Sequence, residues 1–225
     1  MQAALDIPRA RFNMIEQQIR PWDVLDQDVL DLLSVVKREE FVPAELRGLA
    51  FTDMEIPLPH GGHAQAPAAM WAPKLEARVL QELEPKPHDR ALEIGAGSGY
   101  FAALLAHRCH SVTTVEISPV LKSLAEQNLK AAGLTEVRVA EGDGAQGWGK
   151  EAYDIIVLSG STPVLPDSWL AQLKPGGRLF AVVGDAPVMQ ARLYTKADAG
   201  AAFVTLFETV VAPLANAAQP KRFKF

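Results

Sequence analysis

The residues with the most chemical content open with Glu93-Ile94-Gly95-Ala96-Gly97-Ser98-Gly99-Tyr100. This stretch ends an apolar run and begins a helical one. In that setting, closely spaced glycines let the backbone turn tightly and let a ligand reach the main chain. The spacing is G-x-G-x-G, whereas a dinucleotide fingerprint, which frames a pyrophosphate, would put its third glycine where Tyr100 stands. Glu116 closes the next apolar run, with Ile117 after it. A carboxylate at that place accepts hydrogen bonds from ribose hydroxyls and so points to a nucleoside, whichever one it is.

A third stretch, Glu141-Gly142-Asp143-Gly144, makes the choice. Methyltransferases place an acid-and-glycine turn here, against the adenine amino group. The Asp143 carboxylate can accept from the exocyclic N–H, and the backbone N–H that follows can meet a ring nitrogen. A Gly-Asp-Gly turn alone is a common loop, but in series with the other two it specifies S-adenosyl-L-methionine. The expected cofactor-binding residues are Glu93, Gly95, Ala96, Gly97, Ser98, Gly99, Tyr100, Glu116, Ile117, Asp143 and Gly144. Gly176-Gly177, in contrast, read as a chain reversal with no ligand.

The elements that must position these residues follow from periodicity. Arg90–Ile94, Ser111–Glu116, Val137–Ala140, Tyr153–Leu158 and Arg178–Val183 read as short buried strands, with two more near 190–196 and 203–211. Helices are expected over Tyr100–Arg108 and Pro119–Ala132. Alternation of this kind implies a mainly parallel sheet covered on both faces, a Rossmann-like α/β fold. Upstream, residues 10–50 read as helices broken at Pro21-Trp22-Asp23. Residues 51–67, rich in proline and glycine, read as irregular loop, and Ala68–Leu83 as a helix entered through Pro67. The expected organisation is an N-terminal helical layer with the substrate loop (1–85), a cofactor-binding α/β domain (86–215) and a basic tail (216–225). The first two form one compact unit.

Bulk properties narrow the classes. A net charge of -5 argues against a protein that binds nucleic acid by neutralising phosphates, and the one basic cluster, Lys221–Phe225, reads as a solvated tail. Cys109 is the single cysteine, which excludes an internal disulfide and suits a reducing cytoplasm. Met1–Arg11 lacks the apolar core of a signal peptide, and no uncharged apolar run is long enough to span a bilayer. His60-x-x-His63 is too few ligands for a metal site, so no metal is expected. His107-x-Cys109-His110 reads as a helix terminus. Trp22, Trp71, Trp148 and Trp169 read first as core or cleft packing.

Taken together, the sequence resembles the protein-L-isoaspartate O-methyltransferase family over nearly its whole length. Arg38-Glu39-Glu40-Phe41-Val42-Pro43 is similar to the family's R-E-x-F-V-P. Ala50-Phe51-Thr52-Asp53 through Pro57 is similar to its A-Y-x-D…P. Leu92–Tyr100 resembles L-E-I-G-x-G-S-G-Y, and Gly142–Trp148 followed by Tyr153–Val157 resembles G-D-G-x-x-G-W…Y-D-x-I-I-V. The resemblance implies a seven-stranded sheet with one reversed strand and a monomeric protein. It also implies methylation of isoaspartyl carboxylates in damaged proteins. The chain departs from the family in its acceptor loop, where a Thr and a Ser are replaced by His63 and Gln65. A carboxylate acceptor needs no general base, so the Gln65 amide and a His63 N–H could serve as donors in their place. A hydroxyl or amine acceptor would need a base, and His60 or His63 could supply one. A non-catalytic nucleoside binder is the reading from another class.

Overall fold

The structure is a computed structural model, and it describes residues 5–59, 68–198 and 200–220. Asp6 caps α1 (Ile7–Met14), which runs on as a π-helical turn, Ile15–Ile19. The predicted break follows: a 3-10 turn carries Pro21, and Asp23 is left-handed. α2 (Gln27–Val35) starts under the Asp26 carboxylate, which accepts from the Asp28 N–H at 2.9 Å. Two 3-10 turns, Arg38–Glu40 and Ala44–Leu49, complete the layer.

The next stretch corrects the reading from sequence. Residues 51–59 are not wholly irregular: β1 (Ile56–Pro57) pairs antiparallel with β2 (Ala69–Met70). The helix expected from Ala68 is α3 (Pro73–Leu83). Pro73 explains the late start, because the residue before a proline is pushed out of helical geometry, and Ala72 adopts φ −58°, ψ 142°.

The α/β rhythm then follows as expected: β3 (Arg90–Ile94), α4 (Tyr100–Ala106), β4 (Ser111–Glu116), α5 (Pro119–Ala131), β5 (Arg138–Glu141) and β6 (Tyr153–Thr162). α6 (Asp167–Ala171) is too short to leave a periodic pattern and was not foreseen. β7 (Leu173–Asp185) begins earlier than Arg178, because Leu173 already pairs with Tyr153. The Gly176-Gly177 reversal is a loop-out within that strand, and pairing resumes at Arg178↔Ile155. β8 (Val188–Ala197) and β9 (Gly200–Glu208) finish the sheet.

Its seven strands run in the order β5-β4-β3-β6-β7-β8-β9. All neighbours are parallel except at β8, the one reversed strand, which is antiparallel to both β7 and β9. The larger core joins α3, α4 and α5 to the N-terminal layer on one face, with Met14, Ile19, Leu33, Leu80 and Leu104 all buried. A smaller core around Trp169, Ile156 and Leu179 lies on the other. Chain direction reverses its lateral progress between β3 and β6, where open α/β sheets bind ligands. No helix among the described residues is long and apolar enough to cross a membrane.

Candidate active site

A cleft opens at the carboxyl ends of β3, β4, β5 and β6. Gly95, Gly97, Glu116, Ile117, Asp143 and Gly144, six of the residues expected from sequence, line it. Glu116 organises the floor. It is buried, and one carboxylate oxygen accepts the Gly97 N–H at 3.0 Å while the other accepts the Ser118 N–H at 3.0 Å. The same carboxylate therefore pins the glycine loop and the start of α5. A carboxylate accepts about four hydrogen bonds, so it keeps lone pairs for hydroxyls entering the cleft. Gly97 sits at φ +53°, a conformation other residues adopt at a cost of about 1 kcal/mol or more.

Asp143 is held from two sides. Its Oδ1 accepts the Ala145 N–H at 2.9 Å and its Oδ2 accepts the Asn216 side-chain N–H at 2.8 Å. Gly142, just before it, is covered by Trp148: a Cβ there would lie 2.5 Å from the indole ring. Trp148 thus packs on Gly142 of the cleft wall, and is itself fixed by Gln172, which accepts its backbone N–H at 2.9 Å.

Other expected residues lie elsewhere. Glu93, Ala96, Ser98 and Tyr100 border a second, smaller cavity of about 40 Å³ behind the glycine loop. Leu58, Ala69, Trp71, Gly95, Gly97 and Ser159 are common to the two spaces. Gly99 borders neither; it lets α4 close onto α5, since a Cβ there would sit 3.2 Å from the Ala125 carbonyl. Glu93 is buried and accepts hydroxyl protons from Thr114 at 2.7 Å and Ser159 at 2.9 Å. Burial pushes its carboxyl up to about 8 against those two hydrogen bonds, and the nearby Glu116 charge pushes the same way. Across the cavity, burial also pushes Glu76 up to about 7, opposed by the Arg38 charge beside it. The Tyr100 hydroxyl is buried and has no hydrogen-bond partner among the described residues. A polar space of this size accepts water, which is how buried groups of this kind are usually satisfied.

Sequence reasoning missed the residues that topology delivers. Ser159 and Gly160 continue β6 past its predicted end and enter the cleft. Their signal was available, since the carboxyl end of a central strand is where a ligand should lie. The segment Ala212–Ala215 lines the opposite side and is tied to β6 by the Ser161 N–H to Ala212 and the Leu214 N–H to Ser161, each at 2.9 Å. Nothing in its side chains announces this. His63 and Gln65, expected at the acceptor side, lie outside the described residues, as does His60.

The residues present fit S-adenosylmethionine. A buried carboxylate with spare acceptors, a glycine loop at the main-chain surface and a second acid turn converge on one cleft. Comparison with known proteins agrees. The family model for protein-L-isoaspartate(D-aspartate) O-methyltransferase matches residues 9–218. A protein-L-isoaspartate O-methyltransferase of Methanoculleus marisnigri is 41% identical over 177 residues, 78% of each chain. A solved protein-L-isoaspartate O-methyltransferase superposes with a TM-score of 0.78 at 24% identity, covering 90% of this chain and 65% of that one. A Plasmodium falciparum structure described under the same activity, solved in complex with S-adenosyl-L-homocysteine, gives 0.76 at 19% identity over 92% and 97%. The chain belongs to the protein-L-isoaspartate(D-aspartate) O-methyltransferase family.

Proposed function

We propose that this protein transfers the methyl group of S-adenosylmethionine to the free carboxylate of isoaspartyl residues, the α-carboxyl that the isopeptide linkage leaves unbonded, in damaged proteins and peptides. The observation that carries the reading is Glu116 holding the Gly97 N–H beside the Asp143 turn, in a chain whose N-terminal and Gly-Trp motifs are those of the family. Glu116 would receive the ribose hydroxyls, Asp143 and Gly144 the adenine edge, and the loop from Gly95 to Gly97 the remainder. When bound, the cofactor supplies a methyl group on a sulfonium, already activated for in-line displacement.

The chain's own task is to bring an acceptor oxygen into line, an effect that can contribute several kcal/mol or more. An isoaspartyl carboxylate is ionised at neutral pH, so no side chain has to remove a proton from it. It needs donors that hold one oxygen and leave the other aimed at the methyl group. Gln65 and His63, at the positions of the family's Ser and Thr, are our candidates for those donors. As a single chain without an internal disulfide, the protein suits the cytoplasm, where aged intracellular proteins would be its substrates.

The test is transfer of a radiolabelled methyl group to an isoaspartyl peptide. Label that is released as methanol by mild alkali identifies a carboxyl ester, as expected. Label that survives alkali would identify an amine or ether product and overturn the reading.

A further inference from the structure

The motif Arg38–Pro43 takes no part in the cleft, yet its arginine is almost wholly buried, 1% exposed. Its Nε donates to the Ala50 carbonyl at 3.1 Å and one terminal nitrogen donates to the Trp71 carbonyl at 2.6 Å. The other terminal nitrogen pairs with the Glu76 carboxylate on α3. The guanidinium also lies over the Tyr100 ring, 5.2 Å from its centroid.

Three segments distant in sequence, at Ala50, at Trp71–Glu76 and at Tyr100, therefore meet on one planar cation. Ala50 and Trp71 bracket the stretch that holds β1 and β2, including Leu58 and Ala69 of the cleft wall. Tyr100 is the first residue after the glycine loop. Phe41 of the same motif repeats the connection. Its ring meets Tyr100 edge-on at 5.3 Å, and its carbonyl accepts from Asn128 at 3.4 Å. The same Asn128 amide donates to the Ser98 carbonyl of the glycine loop at 2.9 Å.

Core packing alone does not call for this arrangement, because a buried ion pair is often replaced by apolar residues at no loss of stability. What a rigid guanidinium fork adds is geometry that a lysine ammonium cannot reproduce. We propose that Arg38 is a positioning residue for methyl transfer, fixing the β1–β2 ribbon, which forms the acceptor-side wall, against the glycine loop, which forms the donor side. The kinetic half of the test rests on the isoaspartyl reading given above; the exchange half does not.

The test compares wild type with the double variant Arg38→Met/Glu76→Gln, which removes both buried charges together. In the folded, S-adenosylhomocysteine-saturated double variant, amides of 51–59 and 68–72 should exchange about tenfold faster while those of 90–106 keep their wild-type rates. The kcat/KM for the isoaspartyl peptide should fall by up to about a hundredfold, as expected of a misplacement near 1 Å, with affinity for S-adenosylhomocysteine within about twofold of wild type. Unchanged exchange in the ribbon overturns the proposal. So does a loss of cofactor affinity that keeps pace with the loss of kcat/KM, which is what a merely structural role would give. A wild-type protein that does not label the peptide defeats the isoaspartyl reading and leaves the exchange result to decide the clamp. Should the double variant not fold, Arg38→Lys is read by the same two measurements.

Discussion

The donor side and the acceptor side of this protein are built by different means. On the donor side, main chain does most of the work. The carboxyl ends of four parallel strands present backbone N–H groups, and two acidic side chains, Glu116 and Asp143, hold those turns in place. On the side of the β1–β2 ribbon, the proposed acceptor side, side chains do the holding. Arg38 reaches from the N-terminal layer to carbonyls at Ala50 and Trp71, and the ribbon of β1 and β2 pairs over only two residues each. A site made from strand ends tolerates little change in its glycines and acids. A site hung on side-chain contacts can exchange loop residues while the donor machinery is kept.

The largest expected effect breaks the donor side alone. Glu116→Ala leaves two backbone N–H groups without acceptors and removes the proposed ribose partner. Charge-assisted hydrogen bonds of this kind contribute about 1.5–3 kcal/mol each, so affinity for S-adenosylhomocysteine should fall at least about a hundredfold by calorimetry. A loss under threefold would mean that Glu116 only shapes the loop. Next in size is Gln65→Ala, at the proposed donor to the acceptor. Loss of one donor to a carboxylate should lower kcat/KM for the isoaspartyl peptide by about tenfold while cofactor affinity is unchanged. If both constants moved together, the two sides would not be separable in this way.

Much of the donor side was legible in the sequence because its signals are local. Glycine spacing after an apolar run, an acid at the end of the next one and an acid-glycine turn after the third each sit within a few residues. Strands β3 to β7 could be read for the same reason, as short apolar runs between turn residues. Leu214 could not be read so directly, since a leucine carries no chemical signature until the fold brings it to the cleft, whereas Ser159 is marked only by its place at a strand's carboxyl end. Tyr100 was expected at the cofactor but faces Arg38 and the smaller cavity, because the residue that begins α4 turns under the glycine loop. The β1–β2 pairing escaped notice because two residues are too few to show an alternating pattern.

A smaller effect sharpens the boundary between the two sides, where Glu93 lies. Its folded value of about 8 stands above the ordinary carboxyl value of 4.5, so the folded protein retains a proton that the unfolded chain gives up between those values. Stability should therefore fall as pH rises from about 4.5 toward about 8, and Glu93→Gln, which stays neutral, should flatten that slope. Melting temperatures across the range, where a change on the order of ten degrees is expected, provide the check. A slope equal in wild type and variant would place the proton elsewhere. The smallest effect belongs to Asn216→Ala. It removes one neutral donor to the exposed Asp143 and should weaken cofactor binding only about two- to threefold.

The central claim, that this S-adenosylmethionine site serves an isoaspartyl carboxylate, is tested most directly by one ratio. This is kcat/KM for an isoaspartyl peptide over that for its normal aspartyl twin, measured with labelled S-adenosylmethionine. A preference of at least about a hundredfold is expected, since the site must reject a carboxylate displaced by one backbone carbon. Equal labelling of the twins, or labelling of neither by a protein that binds the cofactor tightly, would contradict it.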